Sequence, residues 1–224
     1  MPSLPKGLTE PYWETWLRWH LYRSRHRTPW RRAHYETMMA FRNALRESDG
    51  QIFIDAGANL GAVSKIALDN GMLVHAFEPD PHAADELQRR LGAHPRLTLH
   101  RSAVGANARR ETLYSPSSVD LNVTDRSSLF VAGDNDGGRA TDVEVVDLFS
   151  FMSGLGQPVA ILKLDVEGAE FEILERFLIE RPPVGLLFVE THETFKADFP
   201  QRLDRIREGL RDPALKTRVF LNWP

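Results

Sequence analysis

The apolar run Phe53-Ile54 ends in Asp55 and passes directly into Ala56-Gly57-Ala58-Asn59-Leu60-Gly61, a glycine-spaced turn that opens a helix-forming segment. A chain that reverses this tightly from strand to helix needs glycine, both to reach positive φ and to let a ligand approach the backbone. The feature therefore restricts the fold to α/β architectures with a nucleotide-type site. Seventeen positions after Gly61 the apolar run Leu73 to Phe77 delivers Glu78, and an acid at the end of a second strand typically holds ribose hydroxyls. The pyrophosphate-binding form of such a turn fits poorly, because Asp55 would set negative charge beside the phosphates and Asn59 stands where a bare glycine lets them approach. A carboxylate suits a cofactor that is cationic and lacks phosphate. S-adenosylmethionine, with an ammonium, a sulfonium and an adenosine ribose, meets that requirement by charge complementarity.

Strand and helix signals alternate on both sides of this turn. Gln51 to Ile54, Leu73 to Phe77, Leu97 to His100, Val159 to Leu164 and Val184 to Val189 read as short buried strands. Helices are expected over Ala62 to Asn70, over Pro81 to Leu91 with proline at its start and Gly92 at its end, from Ala169 to about Leu178, and over roughly Phe199 to Leu210. Thr217 to Leu221 gives a last short strand, and Pro182-Pro183 separates two of the units. This order predicts a doubly wound, mostly parallel sheet covered on both faces. Glu111 to Tyr114 and Asp142 to Val146 alternate like strands that pair as an antiparallel insertion, with Gly133 to Gly138 between them as an exposed, flexible loop that lacks calcium-binding spacing.

Charge is uneven along the 224 residues. Residues 1 to 46 carry nine Lys/Arg against three acids, leaving nineteen against twenty-eight in the rest. Trp13, Trp16, Trp19 and Trp30 are interleaved with Arg18, Arg23, Arg25, Arg27, Arg31 and Arg32. This mixture is compatible with nucleic acid, an anionic membrane surface or a polyanionic glycan. The helical spacing of Trp13, Trp16, Leu17 and Leu21 favours helices that pack on the body or on a second subunit of a homo-oligomer. The expected division is a basic Trp/Arg-rich helical extension over 1–48 and one α/β domain over 49–224. No apolar run approaches the ~20 residues of a membrane-spanning helix, and no signal peptide is evident, so a cytoplasmic protein is expected. Without cysteine, thiolate chemistry and disulfides are excluded.

In doubly wound sheets ligands gather beyond the carboxyl ends of the strands. Asp55, Glu78, Asp165, Glu167, Glu190 and His192 are therefore expected to converge on one crevice. Three blocks, Asp55-Ala-Gly-Ala-Asn-Leu-Gly61, Phe77-Glu-Pro79 and Lys163-Leu-Asp-Val-Glu-Gly-Ala-Glu170, with a looser fourth in Phe188-Val-Glu-Thr-His192, resemble the FkbM-type methyltransferases over about residues 51 to 192. The third block is the most specific of them. The resemblance implies a Rossmann-like fold of the class I methyltransferase type and use of S-adenosylmethionine. It implies that Asp55, Gly57, Asn59 and Gly61 surround the methionine part of the cofactor, that Glu78, followed by Pro79, binds the ribose, and that Ser102 and Ala103 lie near adenine. Asp165 joins this cofactor set. The tail after His192 is short for the two closing strands of a full methyltransferase sheet.

The expected reaction is O-methylation of a hydroxyl on a sugar, glycan or other small molecule. His192 is the candidate general base, since an unperturbed imidazole is largely neutral near pH 7, with Asp165, Glu167 and Glu190 around it. Asp165, Glu190 and His192 could instead hold magnesium or manganese, which would lower the acceptor's pKa. Lys163 is expected to neutralise Glu190 or Glu170. The competing functions are a nucleic-acid-associated methyltransferase or binding protein using the basic head, although no Asn-Pro-Pro-Tyr run supports base modification, and a nicotinamide-dependent dehydrogenase, against which Asp55 and Asn59 argue.

Overall fold

The computed structural model describes residues 29–115 and 139–223. The expectations for Trp13, Trp16, Trp19 and the loop Gly133 to Gly138 lie outside the described residues, as does most of the basic head.

The first described element is helix α1 (Pro29–Glu47). Proline stands at its first position, where the missing N–H costs nothing, and Thr37, Met38, Phe41, Ala44 and Leu45 recur at helical spacing to make one buried face. Then come β1 (Ile52–Ala56), α2 (Ala62–Asp69), β2 (Leu73–Phe77), α3 (Pro81–Leu91) and β3 (Leu97–His100). A second group of strands follows: β4 (Ala103–Gly105), β5 (Arg109–Ser115) and β6 (Arg139–Asp147). The chain closes with α4 (Leu148–Gly154), β7 (Val159–Leu164), α5 (Glu170–Glu180), β8 (Val184–Val189), α6 (Phe199–Gly209) and β9 (Arg218–Phe220).

The main sheet has the order β3-β2-β1-β7-β8-β9, and every pairing in it is parallel. Among the described residues one strand, β9, lies beyond β8, in line with the short tail. The order reverses between β1 and β7, which makes that junction the topological switch point where such sheets bind ligands. The second sheet, β4-β6-β5, pairs β5 antiparallel to β6 as expected. It also recruits β4, parallel to β6, from a stretch the sequence pattern did not resolve as a strand. Helix α4 was likewise missed. Its signal is Asp147, whose carboxylate accepts the N–H groups of Phe149 and Ser150 as an N-cap before Leu148, Phe149 and Met152 turn inward.

Side-chain alternation along the strands sends residues to two cores. Ile52, Ile54 and Ala56 of β1 face Phe149 and Met152 of α4, Phe171, Leu174 and Phe177 of α5, and Leu203 and Ile206 of α6. On the other face Phe53 meets Met38, Phe41 and Leu45 of α1, Ile66 and Leu68 of α2, and Leu87 of α3. Phe41 is 0% exposed and sets its ring edge-on to Phe188 at 5.3 Å and to Trp223 at 4.9 Å. Helix α1 thus roofs β1 and β8 through an aromatic cluster. The small second sheet has its own apolar centre in Ala103, Leu113, Val143 and Val145.

Because the α1 face rests on Phe41, Phe41→Ala is expected to destabilise the protein by about 3–5 kcal/mol, the usual cost of emptying a buried phenylalanine site. Urea unfolding followed by circular dichroism measures this. A loss below about 1 kcal/mol would mean that α1 is a peripheral attachment.

Candidate functional site

The turn after β1 takes the conformation its glycines allow. Gly57 has φ 78° and Gly61 φ 81°, and a Cβ at Gly57 would collide with the Asp165 carbonyl. That close approach brings the ends of β1 and β7 together. Asn59 also has positive φ, 48°, which asparagine tolerates better than most residues. Its backbone N–H donates to Glu78 Oε2 at 2.7 Å, while the N–H of Asp80 donates to Glu78 Oε1 at 2.8 Å. Glu78 is thereby fixed across the turn beyond β2. Burial raises its pKa to about 7 against these two hydrogen bonds. Pro79 is half-buried between Glu78 and Asp80. Asp80 caps α3 through His82 and Ala83, and its other oxygen accepts the Ser115 hydroxyl at 2.6 Å. Ser102 is buried just past β3, and the neighbouring Ala103 side chain packs into the core of the second sheet.

Lys163 is the hub of the switch point. Asp55 and Lys163 are register partners on β1 and β7, so their side chains leave the sheet on the same face. The Lys163 ammonium lies 3.3 Å from Asp55 Oδ1 and 3.2 Å from Asp165 Oδ2, and it donates to the Gly57 carbonyl at 2.7 Å. Burial lowers its pKa, but the two carboxylates more than offset this and hold it charged. Its expected partners, Glu190 and Glu170, are therefore corrected to Asp55 and Asp165, because the parallel register puts those acids beside it. Asp55 is 0% exposed, and its Oδ2 accepts the Ser64 hydroxyl of α2 at 2.7 Å.

Beyond the ends of β7 and β8 a second cluster gathers Asp165, Glu167, Glu190 and His192, as expected. It includes one residue the sequence reading gave no role there, Glu170. The Glu170 carboxylate is 0% exposed and accepts the N–H of Gly168 at 2.7 Å and that of His192 at 2.8 Å, while the His192 ring nitrogen Nδ1 lies 3.1 Å from it. A glutamate in the first turn of α5, directly after Gly168-Ala169, was the available signal. His192 Nε2 faces Glu167 at 3.2 Å and Glu190 at 3.9 Å. Glu167 adopts φ 52°, a left-handed conformation that glutamate rarely takes and that typically costs about 1–2 kcal/mol.

These contacts reverse the expectation that His192 is neutral at pH 7. Burial lowers its pKa, but the hydrogen bond and charge of Glu170, with Glu167 and Asp165 added, raise it to about 9. That shift favours the charged imidazole, with Glu170 against Nδ1 and Glu167 against Nε2. Burial raises Glu167 to about 8 against the pull of His192, and Glu190 to about 7. Donor atoms of Asp165, Glu190 and His192 lie within 4.8 Å of one another, a spacing able to hold a metal ion. No described helix is long and apolar enough to cross a membrane.

Comparison with known proteins places this arrangement. A protein solved from Pyrococcus horikoshii and assigned as an RNA methyltransferase is similar at 15% identity, over 83% of this chain and 70% of that one, with a TM-score of 0.39. A SAM-dependent methyltransferase from Geobacter sulfurreducens, solved with S-adenosyl-L-homocysteine, is similar at 14% identity, over 84% of this chain and 88% of that one, with a TM-score of 0.25. Both are too distant for their ligands or substrates to bear on this chain. No curated protein matches it significantly. The family model of the methyltransferase FkbM domain matches residues 55–212, a span that runs from Asp55 past His192 and takes in every residue of both clusters. The chain belongs to the FkbM methyltransferase family.

Proposed function

We propose that the protein transfers a methyl group from S-adenosylmethionine to a hydroxyl of a neutral acceptor, a sugar, glycan or other small molecule, with Glu167 as the group that takes the proton. The observation that carries this reading is the strained backbone of Glu167 beside a cationic His192. Left-handed glutamate costs stability and persists where the surroundings hold it, as they do at functional sites.

The residues fit the cofactor. Glu78 has two carboxylate oxygens, each with a lone pair left after its backbone bond, for two ribose hydroxyls. Gly57 keeps the turn free of side chain beside Asp165, and Pro79, Ser102 and Ala103 follow the ends of β2 and β3, from which adenosine would extend. Bound there, the cofactor supplies a methyl carbon on a positively charged sulfur. With the cofactor held by Glu78 and the Gly57 turn, the acceptor oxygen would take its methyl group, and Glu167 would receive the proton that the hydroxyl gives up. His192 orients Glu167 through Nε2, and Glu170 fixes the ring from the other side. Alignment of the two reactants can supply roughly 7 to 11 kcal/mol of the barrier. The acidic side chains of Asp165, Glu167 and Glu190 at the strand ends offer a phosphodiester poor charge complementarity, which supports a neutral acceptor over nucleic acid.

A second reading rests on the 4.8 Å clustering of Asp165, Glu190 and His192, which would hold magnesium or manganese against the acceptor hydroxyl. Under it, chelator abolishes transfer and either metal restores it. Under the Glu167 reading, chelator leaves the rate unchanged.

Three outcomes are expected. Glu78→Ala should weaken S-adenosylmethionine binding by about 1.5–3 kcal/mol in calorimetry, the value of hydrogen bonds to a charged acceptor. Undiminished affinity would remove Glu78 from the site, and tight NADH binding would sink the cofactor reading. A base works only once deprotonated, so methyl transfer to a screened sugar or glycolipid should climb as pH rises through about 8, where Glu167 ionises, and fall near 9, where His192 loses its charge. A rate that rises only near 9, where His192 loses its proton, would return the base to His192. Glu167→Gly should relieve the left-handed strain and change unfolding stability by less than about 1 kcal/mol. The same variant should transfer methyl about 10²- to 10⁴-fold more slowly.

A further inference from the structure

Of the four acids gathered beyond β7 and β8, three are committed to a partner within the protein. Asp165 meets the Lys163 ammonium at 3.2 Å, and Glu167 stands 3.2 Å from His192 Nε2. Glu170 takes the N–H groups of Gly168 and His192 and faces Nδ1 of the imidazole. Glu190 is the exception. Its backbone N–H is tied to the Leu164 carbonyl at the end of β7, but among the described residues no N–H or O–H donates to its carboxylate. The nearest cation is His192 Nε2 at 3.9 Å, beyond hydrogen-bond reach, and 36% of the Glu190 side chain is exposed. A carboxylate offers about four lone-pair sites to hydrogen-bond donors, so this one stands open to a ligand.

Two observations say what fits there. Glu167 and Glu190 flank the same atom, His192 Nε2, at 3.2 Å and 3.9 Å, so an acceptor oxygen held at Glu167 leaves the substituent on the next carbon beside Glu190. Phe195 is half-buried and sets its ring 4.9 Å from the imidazole, which borders the acids with an apolar surface. Acceptor oxygens beside an aromatic ring suit a sugar ring that carries adjacent hydroxyls on an apolar carbon face. We propose that Glu190 accepts the hydroxyl adjacent to the one that is methylated, and that the acceptor class is a vicinal diol of a sugar ring. This rests on the methyl-transfer reading above and narrows it. Glu190 then touches the acceptor without taking its proton, and it determines which of two neighbouring oxygens faces Glu167.

The test uses the methyl glycosides of glucose, galactose and mannose, the monodeoxy derivatives of whichever is methylated, and labelled S-adenosylmethionine, with chelator throughout. The methylated position is mapped by NMR. In wild type, removing the hydroxyl next to that position should lower kcat/KM by about 10- to 100-fold, the range for a hydrogen bond to a charged acceptor, and removing a remote one should matter little. Glu190→Ala should lose a similar factor on the parent glycoside, so that its preference for the diol over the adjacent deoxy derivative disappears. Glu190→Gln, whose amide oxygen still accepts, should recover part of that preference, which a purely structural role would not produce. Thermal unfolding reads whether both variants fold, and the wild-type deoxy series decides without them. A Glu190→Ala protein that keeps the preference, or wild type indifferent to the adjacent hydroxyl, overturns the diol assignment and leaves methyl transfer intact. So does wild type active only without chelator, which would put a metal at Glu190, or an adjacent aminodeoxy derivative that outruns the diol, which would make the acceptor cationic. Wild type that methylates none of these glycosides overturns the assignment together with the sugar-hydroxyl reading.

Discussion

A buried lysine between two strands governs the geometry of this protein. Lys163 has 3% of its side chain exposed and is held charged, because burying an ammonium is tolerable only when carboxylates and a carbonyl replace its water. Everything at the switch point follows from satisfying it. Asp55 must lie opposite in register, Gly57 must present its carbonyl, and Asp165 must turn back along the end of β7. The motif residues of the first turn and of the β7–α5 turn, far apart in sequence, are thus parts of one charge network.

The same logic of capped ends ties the second sheet to the first. Asp80 caps α3 with one oxygen and accepts Ser115 with the other, and the Arg139 guanidinium stands 3.8 Å away, so the end of the β5–β6 pair where Ser115 meets Arg139 closes on the residue next but one to Glu78. From the opposite side Glu172 of α5 accepts the Ala106 N–H and pairs with Arg109, while Arg176 reaches the Ala106 carbonyl and Asp147. These part-exposed pairs individually contribute little, but together they fix the orientation of the insertion.

Much of the fold was legible because its signals are local. Period and punctuation located β1, β2, β3, β7 and β8 and the helices between them, since buried parallel strands read as short apolar runs bounded by glycine, proline or acids. Helix α4 and strand β4 were not legible, because each is short and gains its stability from what it packs on: Leu148 and Phe149 from the main core, Ala103 from β6. At the site the residue types could be read, and their pairing could not. That Lys163 serves Asp55 and not Glu190 depends on register. That His192 is charged depends on Glu170 turning inward, and neither fact leaves a trace in residue spacing.

The Asp55–Lys163 pair also has a bearing on how the chain folds. Its partners are separated by more than a hundred residues, with two βα units and the whole insertion between them. Until β7 docks, Asp55 at the end of β1 has no cation to face, so sealing that strand under α1 and α2 would trap a bare carboxylate. The segment made first during synthesis therefore cannot complete its core alone. Closure of the sheet becomes a late step of high sequence separation, which ties the two halves into a single cooperative unit and slows their assembly.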